Sequence, residues 1–104
     1  MINIERWHAY SFYVQMGNIA SELSRAVNFD KKGDSTHMTA SLLRLLELID
    51  TTIRDPKNRR RLRELCRFKE VVADWYAGTC VYSIPRKTLR QYAMDFALLA
   101  GKMK

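Results

Sequence analysis

Two histidines, two cysteines and one dense run of arginine are the places where this sequence could do chemistry. The stretch Glu5-Arg6-Trp7-His8 has the Glu-x-x-His spacing of di-iron helical bundles, because residues three apart share a helical face. Such a centre needs a second Glu-x-x-His and two more inward glutamates, and the chain has no second match. The spacing reads as coincidence, and no metal is expected. His37 stands among Ser35, Thr36 and Thr39, a setting that suits a solvated or capping residue. Neither histidine follows an arginine at the spacing of helical ribonucleases of the Arg-x(4–6)-His type. Nucleophile elbows, P-loops and glycine-rich phosphate loops are missing. Cys66 and Cys80 form no metal-ligand spacing and are expected to be reduced, mostly buried small hydrophobes. These readings leave no catalytic residue and no cofactor, and point to a protein that is not an enzyme.

The arginines make a stronger signal. Residues 1–53 carry 5 Lys/Arg against 6 Asp/Glu and residues 54–104 carry 13 against 5, so the halves have net charges of −1 and +8. The density peaks over residues 54–69, where Arg54, Lys57, Arg59, Arg60, Arg61, Arg63, Arg67 and Lys69 face only Asp55 and Glu64. Like charges repel in a compact chain, so folding gives no reason for this clustering. A solvated helix face, lightly balanced by Arg60–Glu64 and Arg67–Glu70 neighbours, is the plain alternative. Against it, Arg59, Arg63 and Arg67 stand four apart with no acid in their row, and Lys57 and Arg60 flank them. Most members are arginine, whose planar fork fits phosphate oxygens better than an ammonium does. Arg86 and Arg90, with Lys87 between them, repeat the pattern further on. Cations early in a helix oppose its macrodipole, a mild cost that argues for selection on binding. A polyanion-facing surface of Arg54, Lys57, Arg59, Arg60, Arg63, Arg67, Arg86 and Arg90 is expected, with RNA or DNA as the ligand. Only Phe68 interleaves the patch, so backbone contacts with low sequence specificity are favoured over base stacking.

Four helices are expected to carry these residues. Over residues 4–28, Phe12, Met16, Ile19, Leu23 and Val27 recur at three- and four-residue steps. Gly33 and Asp34 break the pattern, and Asp34, Ser35 or Thr36 can cap the next helix. That helix, residues 37–54, has the stripe Met38, Leu42, Leu45, Leu46, Ile49 and Ile53. Asp55-Pro56 supplies an N-cap and a first-turn proline for a third helix carrying Leu62, Leu65, Phe68, Val72, Trp75 and Tyr76, ended by Gly78. Ser83-Ile84-Pro85 opens a fourth with Leu89, Tyr92, Phe96 and Leu99. Short connections make neighbours antiparallel, giving an all-α, up-down-up-down four-helix bundle as one domain over residues 1–104.

Helix one has more apolar surface than one core contact uses. Trp7, Tyr10 and Tyr13 either form a subunit interface or seal the end of the bundle. The opening residues lack a basic start followed by an apolar run, and no apolar stretch approaches the ~20 residues of a membrane span. A cytoplasmic protein without membrane contact is expected.

Three segments together resemble a known family: residues 42–49 (Leu-Leu-Arg-Leu-Leu-Glu-Leu-Ile), residues 54–65 (Arg-Asp-Pro-Lys-Asn-Arg-Arg-Arg-Leu-Arg-Glu-Leu) and residues 83–92 (Ser-Ile-Pro-Arg-Lys-Thr-Leu-Arg-Gln-Tyr). The chain is similar over roughly residues 36–104 to the accessory variability determinant proteins of diversity-generating retroelements. The four-helix-bundle proteins encoded in intervening sequences of 23S ribosomal RNA genes are similar in the same way. The resemblance implies a homopentamer of bundles with a basic surface, binding a reverse transcriptase and its template RNA during mutagenic cDNA synthesis, with no catalysis of its own. It places RNA and polymerase on the arginines already singled out from charge. The alternative function is a helical adaptor whose basic face meets an acidic protein.

Overall fold

Asn3 starts the first helix: its side-chain oxygen accepts a hydrogen bond from the Arg6 backbone N–H at 3.1 Å. In the computed structural model, which describes residues 2–78 and Gln91, that helix is short. It runs over Ile4–Ala9 (α1) and stops at Tyr10, whose backbone is extended (φ −75°, ψ 147°). Ser11 then caps a second helix, Phe12–Lys31 (α2), by accepting the Val14 N–H on its hydroxyl. The single helix expected over residues 4–28 is therefore two. The reason lies in helical geometry. On one continuous helix, Trp7 would stand about 140° away from Phe12, at 100° per residue, and off the stripe that faces the core. The break at Tyr10–Ser11 turns α1 out of line with the following helix and against the helix that carries Thr52, where Trp7 is buried.

Gly33, at φ 73°, makes the turn after α2 with a left-handed conformation that a side chain would strain. Asp34 caps Ser35–Ile53 (α3) through the His37 N–H. This contact is the main cause holding the Asp34 carboxyl below the ordinary carboxylate range; the His37 ring and Lys32 add to it, against a smaller upward push from burial. Contacts between α2 and α3 step away from this turn in opposite directions along the chain. Phe29 meets His37 near it, and Glu22 meets Arg44 farther off, so the two helices are antiparallel. Their facing stripes interlock: Met16, Ile19, Leu23, Leu45 and Ile49 are wholly buried, and Phe12, Val27 and Leu42 nearly so.

Asp55 and Pro56 do start a helical segment, but its first part is the 3-10 helix Pro56–Arg61, and the α-helix begins only at Leu62 (Leu62–Ala77, α4). At three residues per turn, positions 58 and 61 lie on one side. Asn58 turns inward and is buried, whereas Arg59 and Arg60 are exposed. From α4, Leu65, Phe68, Val72 and Trp75 join the core against α3. Leu62 and Tyr76, expected in the same stripe, are 37% and 42% exposed. Gly78 ends α4 in the left-handed conformation, φ 73°. The described residues are helical with no strand, an all-α fold. The fourth helix expected after Ser83 lies outside the described residues, as does Cys80. Cys66 is exposed rather than buried, because it falls on the side of α4 opposite the Leu65–Phe68–Val72 stripe.

Candidate nucleic-acid interface

The basic run divides into cations that the chain uses internally and cations that it does not. Arg54 pairs with Asp50 at 2.8 Å, and Lys69 reaches the other oxygen of the same carboxylate at 3.0 Å. Lys57 bonds through its ammonium to the Asp55 carboxylate and, at 2.7 Å, to the His8 carbonyl. Arg61 lies over the Phe12 ring, its guanidinium carbon 4.3 Å from the centroid, a cation–π contact worth about 0.5–2 kcal/mol.

Arg59, Arg60, Arg63 and Arg67 remain. All four are exposed, and none forms an ion pair with a described residue. The Arg60–Glu64 pair that the spacing allows does not form. Arg63 and Arg67 are one helical turn apart on α4 and, with Cys66 and Glu70, line an open groove of about 390 Å³. Arg59 and Arg60 project from the 3-10 turn just before them. The row of three arginines expected on one continuous helix is thus two on α4 and one on the turn. Arg86 and Arg90 lie outside the described residues.

A buried polar cluster, not foreseen from the sequence, positions the turn. Gln15 is wholly buried, and Asn58, Asp55 and Thr52 nearly or fully so. Gln15 Nε2 donates to the Trp7 carbonyl (3.0 Å) and to Asp55 Oδ2 (2.9 Å). Asn58 Nδ2 donates to Gln15 Oε1 (2.9 Å) and to the Thr52 carbonyl (3.0 Å). Both amide groups therefore spend both donor hydrogens on protein acceptors. Trp7 Nε1 donates to Thr52 Oγ1 at 2.9 Å, and that hydroxyl donates to the Leu48 carbonyl at 2.7 Å. His8 Nε2 donates to the Thr51 carbonyl at 2.9 Å, which ties the end of α1 to α3. The signal available in the sequence was Gln15 itself, a polar residue between Phe12 and Ile19 at a core-facing position. Burial pushes the Asp55 carboxyl up, but the Lys57 and Gln15 hydrogen bonds outweigh it and hold the group below the ordinary range.

The three aromatic residues expected at an interface separate. Trp7 is 6% exposed and belongs to its own chain's core, a correction that follows from the break before Ser11. Tyr10 is half-buried against it, the rings edge-on at 5.9 Å, and Tyr13 is exposed. No group of three His, Cys, Asp or Glu side chains among the described residues could hold a metal ion, and no helix among them is long and apolar enough to cross a membrane. Comparison with protein families, with curated proteins and with solved structures gives no match.

Proposed function

We propose that this chain is a non-enzymatic nucleic-acid-binding accessory protein that holds a phosphate backbone on Arg59, Arg60, Arg63 and Arg67. One observation carries the reading: four neighbouring guanidinium groups stay exposed and form no ion pair with a described residue, Glu64 beside them included, while Asp50 and Asp55 are taken by Arg54, Lys57 and Lys69. A chain that needed these charges for folding would pair them, as it pairs Arg54, Lys57 and Lys69. Four planar forks along one turn and one helix face match successive phosphates and do not read bases, so affinity is electrostatic and weakly sequence-specific.

On the resemblance set out above, the ligand is the template RNA of a diversity-generating retroelement and the protein partner is its reverse transcriptase. The working form is then a cytoplasmic homopentamer of up-down-up-down four-helix bundles, with Arg86 and Arg90 extending the basic surface and Tyr10 and Tyr13 near subunit contacts. Titration of labelled RNA and DNA at ~50 mM salt tests the reading against the triple variant Arg59→Gln, Arg63→Gln, Arg67→Gln. Binding by the parent chain that the variant loses, with its helical circular dichroism intact, is the expected result. No nucleic-acid binding, together with retained capture of an acidic protein partner, assigns the face to protein recognition instead.

A further inference from the structure

A second polar groove lies between α2 and α3, near the Gly33 turn and at the opposite end of α3 from the basic turn. It encloses about 340 Å³ and is lined by Glu22, Arg25, Phe29, His37, Ser41 and Arg44, with Ala40 at its edge. That volume falls at the lower end of small-molecule sites. The Glu22 carboxylate is almost wholly buried and accepts a hydrogen bond from Arg25 Nη1 at 3.1 Å. Arg44 Nη1 approaches its other oxygen only to 3.6 Å, beyond hydrogen-bond distance, so the Arg44 fork makes no hydrogen bond to a described residue. Two guanidinium groups on one carboxylate leave a surplus of one positive charge. Both side chains are nearly two-thirds exposed, so most of their donors stay open to a ligand.

Ser41 adds an independent sign. It is 7% exposed, yet its hydroxyl finds no hydrogen-bond partner among the described residues and lines this groove. Buried hydroxyls normally have a partner, and helical serines commonly take the carbonyl four residues back, as Ser21 does here. Beside it, the His37 ring stacks on Phe29 with centroids 5.2 Å apart and planes at 26°. Asp34 Oδ2 accepts from His37 Nδ1 at 2.7 Å and fixes the imidazole, whose side chain is 67% exposed. The groove therefore combines one net positive charge, two donor forks, one unpaired hydroxyl and a flat aromatic face.

We infer that this groove binds one nucleotide, its phosphate on Arg25, Arg44 and Ser41 and its base against the Phe29–His37 stack. A phosphodiester carries a single negative charge, which the surplus matches, and base–aromatic stacking tolerates any base. The site does not depend on the arginines of α4. A nucleotide within a single strand and a free nucleotide share this chemistry.

Proton NMR of the full chain, following the His37 and Phe29 ring signals, distinguishes the two sources. The probes are a dinucleoside monophosphate, a nucleoside 5′-monophosphate and inorganic phosphate. Ring-current shifts at His37 with either nucleotide probe support the site; tighter binding of the diester assigns it to a strand and of the monoester to a free nucleotide. Arg44→Gln, which leaves Glu22 its Arg25 partner, should weaken binding about tenfold, the loss of one charge-assisted contact. Ser41→Ala should weaken it less and serves as the readout if Arg44→Gln fails to fold. The same shifts should persist when Arg59, Arg60, Arg63 and Arg67 are all changed to Gln. No His37 shift with either nucleotide, shifts no larger than inorganic phosphate gives, or shifts unchanged in both groove variants overturn the inference, and none of these outcomes bears on the basic turn.

Discussion

Asn58 shows how much one side chain decides in this molecule. Its two amide hydrogens satisfy Gln15 Oε1 and the Thr52 carbonyl, both in the interior. Asn58→Ala removes both donors; the Thr52 carbonyl keeps the Asp55 N–H at 3.2 Å, but Gln15 Oε1 is left buried without its donor, and stranding a buried polar group costs more than a made hydrogen bond contributes. A destabilisation of about 1–3 kcal/mol is expected, read as a lower urea midpoint with unchanged slope. Arg63→Ala should fall within about 0.5 kcal/mol of the parent, because its exposed side chain makes no hydrogen bond or ion pair to a described residue. Asp55 adds a pH dependence. Its carboxyl titrates lower in the folded chain than in the unfolded one, so its contribution is fully present above the unfolded value, about 3.9. That contribution is lost as pH falls below this value and through the lower folded one. Thermal melts should show a flat midpoint between neutral pH and about 5, then an acid limb that Asp55→Asn makes shallower.

At the scale of elements, what the sequence disclosed tracks the range over which each cause acts. The α2 and α3 stripes were legible because burial repeats every three or four residues, and all five stripe residues predicted for α2 are buried. The caps at Asp34 and Asp55 and the left-handed Gly78 were legible because capping is local chemistry. The break at Tyr10 was not. Ser11 is an unremarkable residue in a helical pattern, and what makes it a cap is Trp7 finding Thr52, 45 positions away. The 3-10 start of the third helix escaped for the same reason, since Asn58 is drawn inward by Gln15, 43 positions earlier. For the candidate interface, charge clustering singled out a stretch but could not say which of its cations are consumed internally; that depended on Asp50, Asp55 and the His8 carbonyl lying within reach. If the Ser11 cap is what divides the first helix, Ser11→Ala should cost about 1 kcal/mol. Trp7→Phe should cost more, because it also withdraws a donor from the Thr52 hydroxyl and reduces core packing. Denaturant unfolding of the two variants, followed by tryptophan fluorescence for the first and circular dichroism for both, checks that order.

The molecule as a whole holds its basic turn rigidly while leaving the turn's outer charges unspent. Trp7, Gln15, Thr52, Asp55 and Asn58 tie α1, α2, α3 and the 3-10 segment at a single knot, so Arg59 and Arg60 project from a backbone that is already ordered. An ordered backbone leaves only side-chain freedom to be lost on binding, and the binding free energy then comes mainly from counterions released by the nucleic acid. That origin fixes a slope. Four phosphate contacts predict that the logarithm of the association constant falls with the logarithm of salt concentration at roughly −3 for a single strand and −3.6 for duplex DNA. Each further contact steepens a single-strand slope by about 0.7. Changing Arg59, Arg60, Arg63 and Arg67 to Gln one at a time should flatten the slope by about the same step each time, while the melting temperature stays close to the parent's. A slope that keeps its full value in the quadruple variant would move the phosphate contacts elsewhere on the chain. A slope near zero in the parent would remove nucleic acid as the ligand of this face and leave the four arginines to an acidic protein.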